Sequence, residues 1–172
     1  MKYMIASDIH GSSKYCGKLL DAFKASNSDM LILLGDILYH GPRNDIPEEY
    51  SPKCVIDMLN SISDKLLCIR GNCDSEVDQM VLDFPIMADY GVISDNGKRR
   101  IYMTHGHIYG PDNMPKLHPG DVILSGHTHI PMYKMKSGIL CVNPGSVSIP
   151  KNDSDHSYII LRDEKFEFFS LK

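Results

Sequence analysis

The chain has 172 residues, 42% of them hydrophobic, and a formal net charge of −4. It is long enough to bury one core without staples, and its charge balance argues against a partner such as long nucleic acid. Its five cysteines, Cys16, Cys54, Cys68, Cys73 and Cys141, form no CxxC pair, which speaks against a zinc knuckle or a redox dithiol and suits a reducing compartment. No apolar run is long enough to span a bilayer, and the opening segment reaches Asp8 and His10 too soon to hold a signal-peptide core. A cytoplasmic protein with no membrane partner is expected.

The first six residues end in a short apolar run that reads as a buried strand. Cys16, Leu19, Leu20 and Phe23 then recur at helical spacing, and "MLILLG" is a second buried strand stopped by Gly35. A loop rich in proline and charge follows. Ser51-Pro52 reads as a helix start with serine as N-cap and proline at the first helical position. Val55, Met58, Leu59 and Ile62 are that helix's buried stripe, and "KLLCIRG" is a third strand. Strand, helix, strand, helix, strand is the order of βαβ units on a parallel sheet.

The second half changes to short β segments. "IMADYGVIS" and "KRRIYMTHG" flank Asp95-Asn96-Gly97, whose Asn-Gly favours a tight hairpin. The consecutive Lys98, Arg99 and Arg100 read as the charged edge of that hairpin. "DVILSG", "PMYKMK", "ILCVNPG", "SYIILR" and "KFEFFSLK" follow, the second and third of these joined around Ser137-Gly138. No linker divides the chain, so a single domain over 1–172 is expected, with two packed sheets and helices outside.

Polar residues gather where the predicted strands end. The ends supply Asp8 and His10, then Asp36, then Asn72 and Asp74, then His105 and His107, and finally His127 and His129 of "GHTH". Each alone could be a helix cap or a turn residue. Together they place carboxylate, carboxamide and imidazole at five strand ends, and in open α/β sheets ligands sit at the carboxyl ends of strands. If "HTH" is extended, alternation turns both imidazoles to one face. Two divalent ions held close together need a donor set of this mixed oxygen and nitrogen kind, one that suits Mn²⁺, Fe or Zn²⁺. Glycines beside Asp36, Asn72, His105 and His127 leave room for sharp turns. His118 and His156 read as ordinary structural histidines.

Asp-x-His, Gly-Asp, Gly-Asn-x-Asp, "THGH" and Gly-His-x-His, in this order from Asp8 to His129, resemble the calcineurin-like metallophosphoesterase superfamily. "LYHGPRN", "GNCDSEVDQM", "GPDNMP" and "NPGSVSIPK" are similar to stretches of its YfcE-type subgroup of small bacterial phosphodiesterases. The resemblance implies a four-layer α/β/β/α sandwich and a small phosphodiester as substrate. It also implies two divalent metal ions, most often Mn²⁺ with Zn²⁺, Fe or Ni²⁺ as alternatives. Asp8, His10 and His129 would hold the first ion, Asn72, His105 and His127 the second, and Asp36 would bridge them. A hydroxide shared by the two would attack phosphorus.

Many superfamily members carry a histidine where this chain has Cys73, and a thiol is a poor substitute for an imidazolium. His107 is the leading candidate to stand near the substrate without binding metal, with His40 as a second. Arg43, Asn44, Asp112 and Asn113, on two long loops expected to flank the cleft, are candidate substrate contacts. Their alternative role is to satisfy loop backbone, and "NPGSVSIP" reads as a structural turn. A phosphomonoesterase, a nuclease, or a protein-binding scaffold like the retromer's small subunit are the competing functions. A homo-oligomer is left open.

Overall fold

The computed structural model describes residues 1–95 and 97–172. Two five-stranded sheets face one another. In the first, β1 (Tyr3–Ala6), β2 (Met30–Leu33) and β3 (Leu66–Cys68) run parallel, extended antiparallel by β9 (Ser157–Arg162) and β10 (Lys165–Ser170). In the second, β5 (Arg99–Thr104), β6 (Val122–Leu124) and β8 (Ile139–Asn143) are parallel, with β4 (Tyr90–Asp95) and β7 (Met132–Lys136) antiparallel at its two edges.

The apolar runs of β1 and β2 reflect burial on both faces. Met4, Ala6, Leu31 and Leu33 point to the helices, while Ile5 and Ile32 point to the other sheet and meet Ile101, Val122 and Val142. Helix α1 (Ser13–Ser26) buries Cys16, Leu19 and Phe23, and α2 (Pro52–Asn60) buries Val55 and Leu59, at the spacings read from the sequence. Ser51 does precede α2 with Pro52 at its first position, but its side chain makes no capping bond. A short helix α3 (Glu76–Gln79) was not expected. Ser75 and Asp78 close a reciprocal capping box around it, and that three-residue spacing was the available signal.

The two mixed sheets with their flanking helices make up the expected α/β sandwich. Among the described residues every helix precedes β4, and on the outer face of the second sheet Tyr109, Met114 and Leu117 of the segment following β5 pack on Tyr102, Ile123 and Ile139. Pro111, Pro115 and Pro119 interrupt that segment, and proline removes the amide a helix would need. The basic run is not a free edge either, because β5 lies between β4 and β6. Lys98 pairs with Glu164, Arg99 with Asp95, and Arg100 with Asp121 at 2.6 Å. Asn96, on which the predicted Asn-Gly turn depends, lies outside the described residues. The turn at Ser137-Gly138 has both residues at positive φ, as the mirror-image hairpin turn requires. Among the described residues no helix is long and apolar enough to cross a membrane.

Candidate metal centre

The segments after β1, β2, β3, β5 and β6 meet between the two sheets. The backbone ties them together first: Asp8 N–H donates to Gly35 O, His10 N–H to Asp36 O, and Gly126 N–H to His105 O. Close approach also needs missing side chains. A Cβ on Gly126 would lie 1.9 Å from Ser7 Oγ, and one on Gly71 would lie 2.1 Å from Asp36 Oδ1. These two glycines therefore serve contact between strand ends, not the sharp turning expected of them. Gly126→Ala should cost about 2–3 kcal/mol, the range for overpacking a filled interior, and lower the thermal midpoint by roughly 5–10 °C. An unchanged midpoint would mean that these strand ends do not approach so closely.

Each of two buried carboxylates has one oxygen fastened by a backbone amide and the other aimed inward. Asp8 Oδ2 accepts from His127 N–H at 3.0 Å, and Asp36 Oδ1 accepts from Cys73 N–H at 2.8 Å. The inward atoms then cluster. Asp8 Oδ1 is 3.2 Å from His129 Nε2 and 3.5 Å from His10 Nε2, and those two nitrogens are 3.3 Å apart. Asp36 Oδ2 is 3.7 Å from His10 Nε2 and 3.4 Å from His105 Nε2. His105 Nε2 is in turn 3.1 Å from Asn72 Oδ1 and 3.2 Å from His127 Nδ1.

The imidazoles are oriented from behind. His10 Nδ1–H donates to Tyr39 O at 2.7 Å, His105 to Leu34 O at 2.6 Å, and His129 to Ile149 O at 2.6 Å. A carbonyl can only accept, so each Nδ1 carries the proton and, in the neutral ring, each Nε2 turns a lone pair inward. Among the described residues, Asp8 Oδ1 is a buried atom with no hydrogen-bond donor. Acceptors thus face acceptors, an arrangement a cation resolves. The spacings match those between ligands around one ion, about 3–3.5 Å for bonds of about 2.1 Å. Asp8, His10 and His129, and likewise Asp8, Asp36 and His105, offer ligand atoms within 4.8 Å of one another.

Without an ion, protons carry the balancing charge. Burial opposes charging of His105, but Asp36 and Asp8 outweigh it and raise its pKa to about 9. Burial likewise opposes ionisation of Asp8, and the imidazoles of His10, His129 and His105 hold it well below the usual carboxylate range. Cys73 is pushed up to about 12 by burial and by Asp36, Asp74 and Asp8, so its side chain is a thiol at neutral pH. Its Sγ belongs to a further close group with His10 and Asp36.

Alternation along a strand does not explain the "HTH" pair. His127 and His129 lie beyond β6, both in the left-handed region at φ 66° and 61°. Asp8, His10 and Asp36 share that conformation at φ 59°, 50° and 56°. Strained backbone of this kind persists where surrounding bonds over-determine it. Ser146 and Ser148 hydroxyls both donate to Asp8 O, and Asn143 Nδ2 donates to Gly126 O, so "NPGSVSIP" is the clamp on the first and last strand ends. Asp74 is a second clamp missed in the sequence: its carboxylate accepts from the amides of Asp36, Ile37 and Gly71. His156 stacks on Tyr15, as a structural histidine.

A cavity of about 380 Å³ opens over the cluster. Arg43 and Asn44 line it, as does Lys151, which the sequence reading missed because it lies far along the chain. Asp112 and Asn113 do not line it: Asp112 pairs with Lys136 at 2.7 Å, and Asn113 bonds to Ile108 O within its own loop. Both sit on the loop after β5, away from this cavity. His107 is exposed, its ring centroid 5.3 Å from that of His105 and 6.2 Å from that of His127. Partial desolvation of its ring, then His105, lower its pKa.

The calcineurin-like phosphoesterase superfamily domain model matches residues 1–165. Phosphodiesterase YfcE of Escherichia coli K12 is 46% identical over 171 residues, covering 99% of this chain and 92% of that protein. The structure of YfcE, a phosphoesterase from E. coli, superposes with a TM-score of 0.93 at 43% identity over 100% of both chains. Vps29 of Chaetomium thermophilum shares the fold alone, with a TM-score of 0.65 at 18% identity over 94% of this chain and 82% of that one. The chain belongs to the calcineurin-like phosphoesterase superfamily.

Proposed function

We propose that the protein is a divalent-metal-dependent phosphodiesterase acting at a two-metal centre. The observation that carries this reading is the convergence of acceptor atoms on two adjoining points, with Asp8 Oδ1 buried and without a donor. Asp8, His10 and His129 would hold one ion, and Asn72, His105 and His127 the other. Asp36, whose Oδ2 faces both His10 and His105, would be the ligand shared between the two groups. Divalent ions such as Mn²⁺ held there would supply activation of water and neutralisation of charge for in-line displacement at phosphorus.

The chain's own residues do the rest. Backbone carbonyls behind three imidazoles fix which nitrogen faces the site. Arg43 and Lys151 bring positive charge to the cavity that receives the phosphate. His107 stands beside the His105 and His127 rings, where it is the candidate to meet the departing oxygen. The Cys73 thiol lies against Asp36 and supplies no imidazolium, which favours esters whose leaving groups need little protonation.

The name of the YfcE relative supports a diester over a monoester. The test compares bis-p-nitrophenyl phosphate with p-nitrophenyl phosphate after chelation and after adding back Mn²⁺, Zn²⁺ or Ni²⁺. Chelation should abolish turnover, added metal should restore it, and the diester should be the better substrate. Equal or faster turnover of the monoester would sink the diesterase assignment. Undiminished activity after exhaustive chelation would sink the metal centre.

A further inference from the structure

A second and larger cavity, of about 510 Å³, adjoins the one over the ligand cluster. Thr128, between His127 and His129, lines both, so the Gly126–Thr128 turn is their common wall. That wall is held from below, since Asn143 Nδ2 donates to Gly126 O at 2.7 Å and to Thr128 Oγ1 at 3.1 Å. The volume lies in the range of small-molecule sites. Yet the chemistry of the two cavities is opposite. The cavity over the cluster is polar. The second is walled by Pro111, Ile130, Pro131 and Met132, with Lys134 and Lys136 beside them. Long lysine stems add apolar surface while their charges stay in water.

A phosphodiester carries two organic arms, and the second cavity shares Thr128 with the cavity over the cluster. We propose that the second cavity is the subsite for one ester arm, and that this arm is apolar and flat, an aryl or similarly shaped group. The inference rests on the phosphodiester reading above and specifies the substrate class for it. Asp112 and Lys136 pair with each other at the cavity's rim, and the exposed Lys134 keeps its charge at the solvent edge. The walls below that rim offer apolar burial.

The test uses the full chain, loaded with diamagnetic Zn²⁺ and labelled at methionine and isoleucine methyl groups. Diphenyl phosphate should shift the Met132 and Ile130 signals saturably, at least ~10-fold more tightly than dimethyl phosphate does, as burial of an aromatic ring requires. Met132→Trp, which fills the groove, should remove the Ile130 response and raise KM for bis-p-nitrophenyl phosphate at least ~5-fold, with kcat nearly unchanged because binding in the groove is uniform along the reaction. Equal responses to the two phosphates, or methyl shifts absent with both, would overturn the proposal. So would a KM indifferent to Met132→Trp in a variant with normal thermal stability. The methyl shifts are read without turnover. A chain that shows them but hydrolyses no diester therefore refutes the activity and keeps the aryl-phosphate groove.

Discussion

Asp36→Asn should lower kcat/KM on a phosphodiester by at least ~10³-fold, equivalent to ~4 kcal/mol at about 1.4 kcal/mol per tenfold. The size follows from where the two oxygens point. Oδ1 accepts from Cys73 N–H, so an amide at this position keeps its carbonyl there and turns its NH₂ inward. That NH₂ would face His10 and His105, where Oδ2 now lies 3.7 and 3.4 Å from their Nε2 atoms. A donor then stands where the proposed bridge between two cations should be. Titration of the metal-free variant with Mn²⁺ should show both binding steps weakened, with the thermal midpoint close to that of the wild type. Full activity would count against the two-metal centre, and loss of one binding step alone would count against the bridging role.

Asp74→Ala should be the most damaging change away from the inward-facing atoms. Three buried amides, those of Asp36, Ile37 and Gly71, donate to this carboxylate at 2.7–2.8 Å. Each bond to a charged acceptor contributes about 1.5–3 kcal/mol, and orphaned buried donors cost similar amounts. Allowing for relaxation and entry of water, we expect a loss of roughly 4 kcal/mol, or a midpoint lowered by roughly 10 °C in a chain of this size. Because the same bonds hold the Asp36 turn against Gly71, metal affinity should also fall, by about 10–100-fold as for other partners behind metal ligands. Denaturant unfolding and Mn²⁺ titration measure the two effects separately. A stable variant with intact metal affinity would show that Asp74 only fills space.

Much of the architecture was legible because it follows local rules. The β1 and β2 runs are apolar without alternation because helices cover one face and the second sheet the other. The stripes of α1 and α2 follow the 3.6-residue period, and the donor types needed for a divalent centre stand next to glycines at five strand ends. The less legible features depend on residues distant in sequence. Nothing near His127 announces that its amide donates to Asp8, or that the carbonyl behind His129 belongs to Ile149. Lys151 reaches the cavity over the cluster while Asp112 and Asn113, on an equally polar loop, turn to Lys136 and to their own backbone. Both loops mix polar residues with proline and glycine, so composition could not separate the two outcomes.

By itself the sequence determined the class of fold, the order of its strands and helices, and the inventory of donors, because periodicity, caps and strand-end chemistry are properties of neighbouring residues. Only the tertiary structure decided how those donors are aimed. It set five of the seven candidate ligands in left-handed backbone conformations, against their local preference. Such conformations are costly for residues other than glycine and are held here by surrounding bonds. Those bonds come from Asp74 behind Asp36 and from Ser146 and Ser148 behind Asp8, residues 38, 138 and 140 positions away along the chain.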